Sequence, residues 1–307
     1  MLKYTAVHVN SKKSITSKDT FNWNFVQRQK VHTGAIIASE ELAKKIRSSG
    51  AASPFAGFDL LKNDLVGSCV LIDYNYVLMC MHTFNSFSTS EMSNRQVKIV
   101  FFNEYTEKTV DTANPKAQTT RPVANLRGDL GWWGPKNSDS CKEDFALVQI
   151  EWNKTSGVDD FHFLGHSATL PDPRSKDPLV SVGQTLCCIE EYSPKLQVEE
   201  SQKEPFATYI SYADVTKLNQ GPMVSECTTG KQAIYAYAGF ASCFGSSGSP
   251  VYDIKGQLVG ILGGKVKTES FFLPLDIIYK CQTIGNRESI TTQKKLENIY
   301  DYQNSKK

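Results

Sequence analysis

The sequence predicts an all-β protein, and three observations predict it. From about residue 66 the chain breaks into short apolar runs, each run has the length of a strand, and Gly, Asn, Asp and Pro separate one from the next. The runs are G-S-C-V-L-I-D, Y-V-L-M-C-M, V-K-I-V-F-F, F-A-L-V-Q-I, L-V-S-V-G-Q-T-L-C-C-I, S-P-V-Y-D and Q-L-V-G-I-L. This punctuation favours a sandwich or barrel over βαβ alternation.

Taken in order, residues 1–60 form an N-terminal extension whose one helical signal is S-E-E-L-A-K-K-I-R-S-S-G. Ser39 suits the N-cap, Glu40 and Glu41 suit the positive end of the helix dipole, and Gly50 suits the stop, so a short helix is expected at about 40–48. The extension is expected to be an inhibitory arm, a partner site, or a strand and helix packed on the core. Asp73-Tyr74-Asn75 and Asp253-Ile254-Lys255-Gly256 are expected hairpin turns. Residues 104–140 and 191–232 are polar and expected to contain long surface loops. After Lys265, F-F-L-P-L-D-I-I-Y-K-C reads as a strand ended at Pro274 and then a short helix. Ile290, Leu296, Ile299 and Tyr300 sit at mostly helical intervals and predict a closing helix.

Composition narrows the function classes. The 307 residues carry 34 Lys plus Arg against 32 Asp plus Glu, so no net field draws this chain to nucleic acid or membrane. Lys12-Lys13, Lys44-Lys45-Arg47 and Lys306-Lys307 are scattered and read as solvated surface. No run approaches the ~20 apolar residues of a membrane span, and the first residues lack the apolar core of a signal peptide. An intracellular location, cytoplasm or nucleus, is therefore expected. Cys187 and Cys188 are neighbours, and other cysteines lie within apolar runs, which favours free thiols over a disulfide framework. No C-x-x-C pair occurs, and His162 and His166 read as structural, so neither a metal nor a cofactor is expected.

Nucleophilic catalysis by a serine needs a base to take its proton, an acid to orient that base, and donors for the developing oxyanion. His82 follows the run Y-V-L-M-C-M, Asp144 directly precedes F-A-L-V-Q-I, and Ser247 stands in C-F-G-S-S-G-S-P-V-Y between Gly245 and Gly248. Each alone is an ordinary structural residue. Together, in the order His, Asp, Ser and each beside its strand, they form a candidate triad. An esterase on an α/β scaffold expects G-x-S-x-G and the opposite order.

At these three blocks the sequence resembles the chymotrypsin-like (trypsin-like) serine proteases, over about residues 66–282. The resemblance implies two perpendicular six-stranded β-barrels with the triad between them. It implies a protease domain at 61–285, after the extension and before a C-terminal helix and tail at 286–307. It also implies His82 as base then acid, Asp144 as orienter, Ser247 as nucleophile, and the amides of Gly245 and Ser247 as the oxyanion hole. Substrates would be proteins or peptides. Two departures point to a non-secreted branch: Ser246 stands where secreted members place an Asp that pairs with the freed amino terminus, and Thr83 stands where they place a cysteine. Ala241, six residues before the nucleophile, gives a neutral pocket floor suited to an apolar or aromatic side chain. Gly263 and Gly264 replace the usual pocket wall. The rival reading is a catalytically silent member of the same fold that binds proteins.

Overall fold

The computed structural model describes residues 6–8, 32–39, 41–42, 44–45, 65–101, 123–135, 143–153, 171–172, 174, 179–185, 207–213, 215–220, 234–238, 240, 245–266, 269–285 and 288–304. In chain order the first strands are β1 (Ala6–His8), β2 (Thr33–Ala38), β3 (Leu65–Asp73), β4 (Tyr76–Met79), β5 (Val97–Phe101) and β6 (Val123–Leu126). They are followed by β7 (Trp132–Pro135), β8 (Ala146–Trp152), β9 (Leu179–Thr185), β10 (Ala207–Ala213), β11 (Val215–Gln220) and β12 (Ile234–Ala238). The last are β13 (Pro250–Tyr252), β14 (Leu258–Val266), β15 (Glu269–Pro274), β16 (Gln282–Gly285) and β17 (Glu288–Thr291). Among the described residues the helices that join them include α1 (Met81–Phe84), α2 (Thr89–Ser93), α3 (Leu275–Lys280) and α4 (Thr292–Asn304).

The first half is a closed barrel. Strands run β8-β4-β3-β2-β5-β6, and pairing of β6 back onto β8 completes the ring. Along β5, Val97, Ile99 and Phe101 are buried while Lys98 is exposed, the period-2 pattern of a strand with one dry face. Strands β3 and β4 break that pattern because both their faces are dry. Cys69, Leu71, Val77 and Met79 fill the barrel interior, whereas Val70, Ile72, Leu78 and Cys80 fill a second core. That second core also takes Val180, Val182, Ile261, Leu273, Leu275 and Ile278 from the other half of the chain. Two-sided burial is the physical reason that the sequence shows continuous apolar runs here.

The second half is an eight-stranded sheet in the order β1-β10-β9-β13-β14-β15-β12-β11. Its strands from β9 to β15 pair antiparallel, and β1 adds in parallel at one edge. Of the two barrels expected, the first closes through β6 and β8; among the described residues no pairing joins β1 to β11. Its own core holds Leu179, Ala236, Ala238, Phe240, Val251, Val259, Leu262 and Phe272. No helix among the described residues is long and apolar enough to cross a membrane.

Some elements match the sequence expectation, others add to it, and one departs from it. The extension at 1–60 contributes β2, a full member of the barrel, because T-G-A-I-I-A is apolar enough to be buried along its length. Glu41, Leu42, Lys44 and Lys45 are helical, and the Leu42 amide donates to Ser39 Oγ at 3.2 Å, as an N-cap requires. Leu42 is buried in the barrel core, and Lys45 pairs with Glu91 of α2. The polar stretches at 104–140 and 191–232 also hold β6, β7, β10 and β11. Ile290 lies in β17 rather than in the closing helix.

Both expected hairpin turns form, with Asp73 opposite Tyr76 and Gly256 at φ 78°. After β15 ends at Pro274 and α3 follows, the chain returns to the first half. Thr283 and Ile284 of β16 pair with Pro135 and Gly134 of β7, so the antiparallel pair β16–β17 is stitched to the barrel sheet. Gly285 makes that approach possible: a Cβ there would stand 1.7 Å from the carbonyl oxygen of Trp132. Gly285→Ala is therefore expected to push β16 off β7 and cost about 1–3 kcal/mol of stability. A thermal melt superimposable on wild type would show that this pairing does not hold the C-terminal strand pair.

Candidate active site

Strand register brings two of the candidate residues together. Strands β4 and β8 are antiparallel with Met79 opposite Ala146. The chain leaving β4 and the chain entering β8 therefore meet at one end of the barrel, with His82 three residues beyond Met79 and Asp144 two before Ala146. Cys80 is extended, and α1 starts after it. Met81, Thr83 and Phe84 are buried around that single turn, which leaves His82 facing outward with its side chain 42% exposed. Asp144 accepts the His82 backbone N–H at Oδ1 (2.8 Å), and its Oδ2 lies 2.6 Å from His82 Nδ1. An ionised carboxylate only accepts, so Nδ1 carries the proton and Nε2 is left as the basic nitrogen.

The third candidate comes from the second half, on the turn that leads into β13. Gly245 has φ 91° and Gly248 φ 88°, the left-handed region that glycine enters without steric cost. Ser68 of β3 holds this turn at two points. Its N–H donates to the Ser247 carbonyl and its hydroxyl to the Gly245 carbonyl, each at 2.8 Å. A third tie runs from the Gly248 N–H to the Leu262 carbonyl of β14 at 2.7 Å. A Cβ on Gly248 would stand 2.0 Å from Ser68 O, so contact with β3 as well as φ requires glycine. Ser247 is half-buried, and its Oγ points to the Gly263 carbonyl at 3.5 Å, the long limit of a hydrogen bond. Among the described residues no hydrogen bond joins Ser247 Oγ to His82. The amides of Gly245 and Ser247 have no acceptor among those residues, whereas those of Gly248 and Ser249 are committed to Leu262 O and Ser246 O.

Of the pocket residues, Ala241 lies outside the described residues, as do His162 and His166. Gly263 and Gly264 lie in β14 against the ring of Phe271, which a Cβ on Gly263 would meet at 2.6 Å. Three positioning contacts escaped the sequence reading. Ser68 sits inside an apolar strand and Cys80 directly after one, so both look like filler, and Gly67 is pressed so closely on Thr83 that a Cβ would meet its Cγ2 at 2.8 Å. The only signal for Ser68 is a small polar residue in a strand otherwise apolar.

Cys69, Cys80 and Cys281 are free thiols, the first two buried. Ligand atoms of Cys80, His82 and Asp144 lie within 4.8 Å of one another, a grouping that could in principle hold a metal. The donor set fits poorly. Burial and then the charge of Asp144 push the Cys80 thiol well above its ordinary value, so it stays protonated, and His82 Nδ1 is already bonded to Asp144.

An acid and a histidine fixed on a closed antiparallel barrel thus stand beside a glycine-framed serine turn that the second sheet presents and the barrel's β3 grips. The fold is all-β, a closed six-stranded antiparallel barrel beside a second, largely antiparallel sheet. No family model matches the chain, and no curated protein matches it in sequence. Among solved structures it is similar to the Rv3671c protease from M. tuberculosis in its active form, at 12% identity and TM-score 0.48 over 83% of this chain and 80% of that one. It is likewise similar to Deg5 (15%, TM-score 0.45, 83% and 89%) and to human heparin binding protein (12%, TM-score 0.44, 82% and 89%).

Desolvation lowers the His82 pKa, but the hydrogen bond and charge of Asp144 outweigh it and leave the imidazole raised above its ordinary value. A raised histidine pKa favours the folded state at low pH, a contribution lost as pH rises through the folded value. The His82 ring signal in an NMR titration is expected to move at higher pH than free imidazole, and Asp144→Asn to move it down. An unchanged midpoint in the variant would show that the pair is not formed in solution. Gly248→Ala is expected to cost at least about 1–2 kcal/mol from its left-handed backbone alone, read by urea unfolding.

Proposed function

We propose that the chain is a serine endopeptidase acting through an acyl-enzyme. The observation that carries the reading is the Asp144–His82 pair, whose hydrogen bonds leave Nε2 basic in a half-open site beside the Ser247 turn. Rotation of Ser247 about χ1, away from its weak contact with Gly263 O, would turn the hydroxyl toward that nitrogen. Ser247 Oγ then attacks the substrate carbonyl while Nε2 takes its proton. The carbonyl oxygen becomes an oxyanion that the amides of Gly245 and Ser247 are available to receive. Collapse breaks the C–N bond, and the imidazolium returns its proton to the leaving amine. Water, deprotonated by the same nitrogen, then hydrolyses the ester and restores Ser247.

Asp144 keeps the imidazole in the tautomer that this cycle needs and stabilises the imidazolium. The neutral Ala241 and the ring of Phe271 behind Gly263 and Gly264 support a preference for an apolar or aromatic side chain before the scissile bond. Substrates are proteins or peptides, with no cofactor, and the site is intracellular. One observation favours the rival reading of a silent protein-binding member: Ser247 Oγ faces Gly263 rather than His82.

A fluorophosphonate probe separates the two. Wild type is expected to be labelled and Ser247→Ala not, whereas absence of label from both would favour the silent reading. Asp144→Asn is expected to lower kcat by roughly 10⁴ through the wrong imidazole tautomer. On a peptide library, efficient cleavage after Arg or Lys with poor cleavage after Phe, Tyr or Leu would overturn the pocket assignment.

A further inference from the structure

Three successive carbonyls fix the serine turn, and each has a donor. Gly245 O accepts from the Ser68 hydroxyl at 2.8 Å, Ser246 O from the Ser249 N–H at 3.0 Å, and Ser247 O from the Ser68 N–H at 2.8 Å. A peptide is planar and trans, so pinning Ser246 O also fixes the Ser247 N–H on the far side of the same plane. Two of these three ties are backbone to backbone; only the one on Gly245 O comes from a side chain. Ser246 is buried and bears no charge, so an ion pair from the middle of the turn is not what holds it.

Strand β3 places Ser68 for this task. By the period of two, Ser68 shares with Val70 and Ile72 the face turned to the core between the halves, and it is fully buried. A hydroxyl in that place is costly unless it is bonded. The backbone around it has no room to drift: a Cβ on Gly248 would stand 2.0 Å from Ser68 O, and one on Gly67 would stand 2.8 Å from Thr83 Cγ2 and 3.4 Å from Ser247 O. Residues 67 and 68 are thus wedged between the chain just after His82 and the turn that carries Ser247. Gly245, at φ 91°, has the wide torsional freedom of glycine. Its own two torsions are all that separate its N–H from the carbonyl that Ser68 holds.

We infer that Ser68 is a positioning residue, whose hydroxyl holds the Gly245 carbonyl and thereby fixes the direction of the Gly245 amide relative to that of Ser247. The consequence for rate rests on the peptidase reading, in which those two amides receive the oxyanion. Donors already aimed at the developing charge stabilise the transition state because they need not reorient during the reaction. The hydroxyl would then act on catalysis without touching substrate.

Ser68→Ala removes the hydroxyl and keeps the backbone tie to Ser247 O, while Ser68→Thr and Ser68→Val share a shape and differ in the hydroxyl. A positioning role predicts that Ser68→Ala loses roughly ten- to a hundred-fold in kcat with KM held, less than the ~10²–10³ that deleting a donor outright costs. Ser68→Thr is expected to retain more activity than Ser68→Val. Affinity for a peptidyl trifluoromethyl ketone, whose hemiketal oxygen stands in for the oxyanion, is expected to fall in step with kcat. A lower melting temperature in Ser68→Ala with kcat and ketone affinity unchanged would reduce Ser68 to a structural role and overturn the inference. Where the added methyl unfolds both Thr and Val variants, the kcat against KM split in Ser68→Ala decides.

The second readout needs no turnover. The amide NMR signal of Gly245 is expected to broaden through μs–ms exchange in Ser68→Ala and to stay sharp in wild type and Ser68→Thr. If wild type neither turns over nor takes a fluorophosphonate label while that broadening appears, the positioning stands and the peptidase reading fails. If wild type is active and Ser68→Ala matches it in kcat, ketone affinity and amide line width, the peptidase reading stands and the positioning role is overturned.

Discussion

The two halves meet across strands β3 and β4, whose alternate side chains fill two different cores. Cys69, Leu71, Val77 and Met79 point into the barrel; Val70, Ile72, Leu78 and Cys80 point into the seam against Val180, Ile261 and Leu273. Burying an aliphatic side chain of this size contributes about 1.5–3 kcal/mol, so a one-residue slip of either strand would strip both cores at once. That double constraint fixes the register of β4 on β8, and through it the closeness of His82 to Asp144. The seam rather than either core decides where the chemistry sits.

Ser68 turns that packing into geometry. Its backbone and hydroxyl each hold a carbonyl of the serine turn, and a contact with its own carbonyl forbids any side chain at Gly248. Because the hydrogen bonds are buried, breaking one exposes no compensating water and leaves a carbonyl unpaired. The turn thus belongs to the second sheet by sequence and to the first barrel by contact. Cys80 adds a link in the same place, its thiol donating to the Leu262 carbonyl that also accepts from the Gly248 N–H. The C-terminal return reinforces the arrangement from behind: β7 lies between β8 and β16, and Gly134 of β7 packs against Met81 beside His82.

Much of this was legible before any coordinates. The hairpin turns at Asp73 and Gly256, the strand end at Pro274, the short helix after it and the N-cap at Ser39 all follow from local chemistry, and local chemistry acts on neighbours in the chain. What escaped was non-local. T-G-A-I-I-A in the extension is short and unremarkable until β3 and β5 enclose it as β2. Strands β10 and β11 lie within a stretch that is polar overall, and their pairing with β9 and β12 makes them strands. Ile290, placed in a helix by periodicity, is a strand residue because β16 lies opposite it.

The sequence by itself determined the residue types and their order: an acid ahead of a strand, a histidine behind one, and a serine framed by two glycines whose backbone freedom a positive φ demands. It also determined that the strands around them are apolar on both faces. Only the tertiary structure decided which of these groups touch. It put Asp144 on both the backbone and ring nitrogens of His82, turned Ser247 Oγ to Gly263 O, and made Ser68 part of the site. The reason is physical: a residue's type fixes what it can donate or accept, but a hydrogen bond depends on distance and angle within a few tenths of an ångström. Those are set by the packing of strands far apart in the chain.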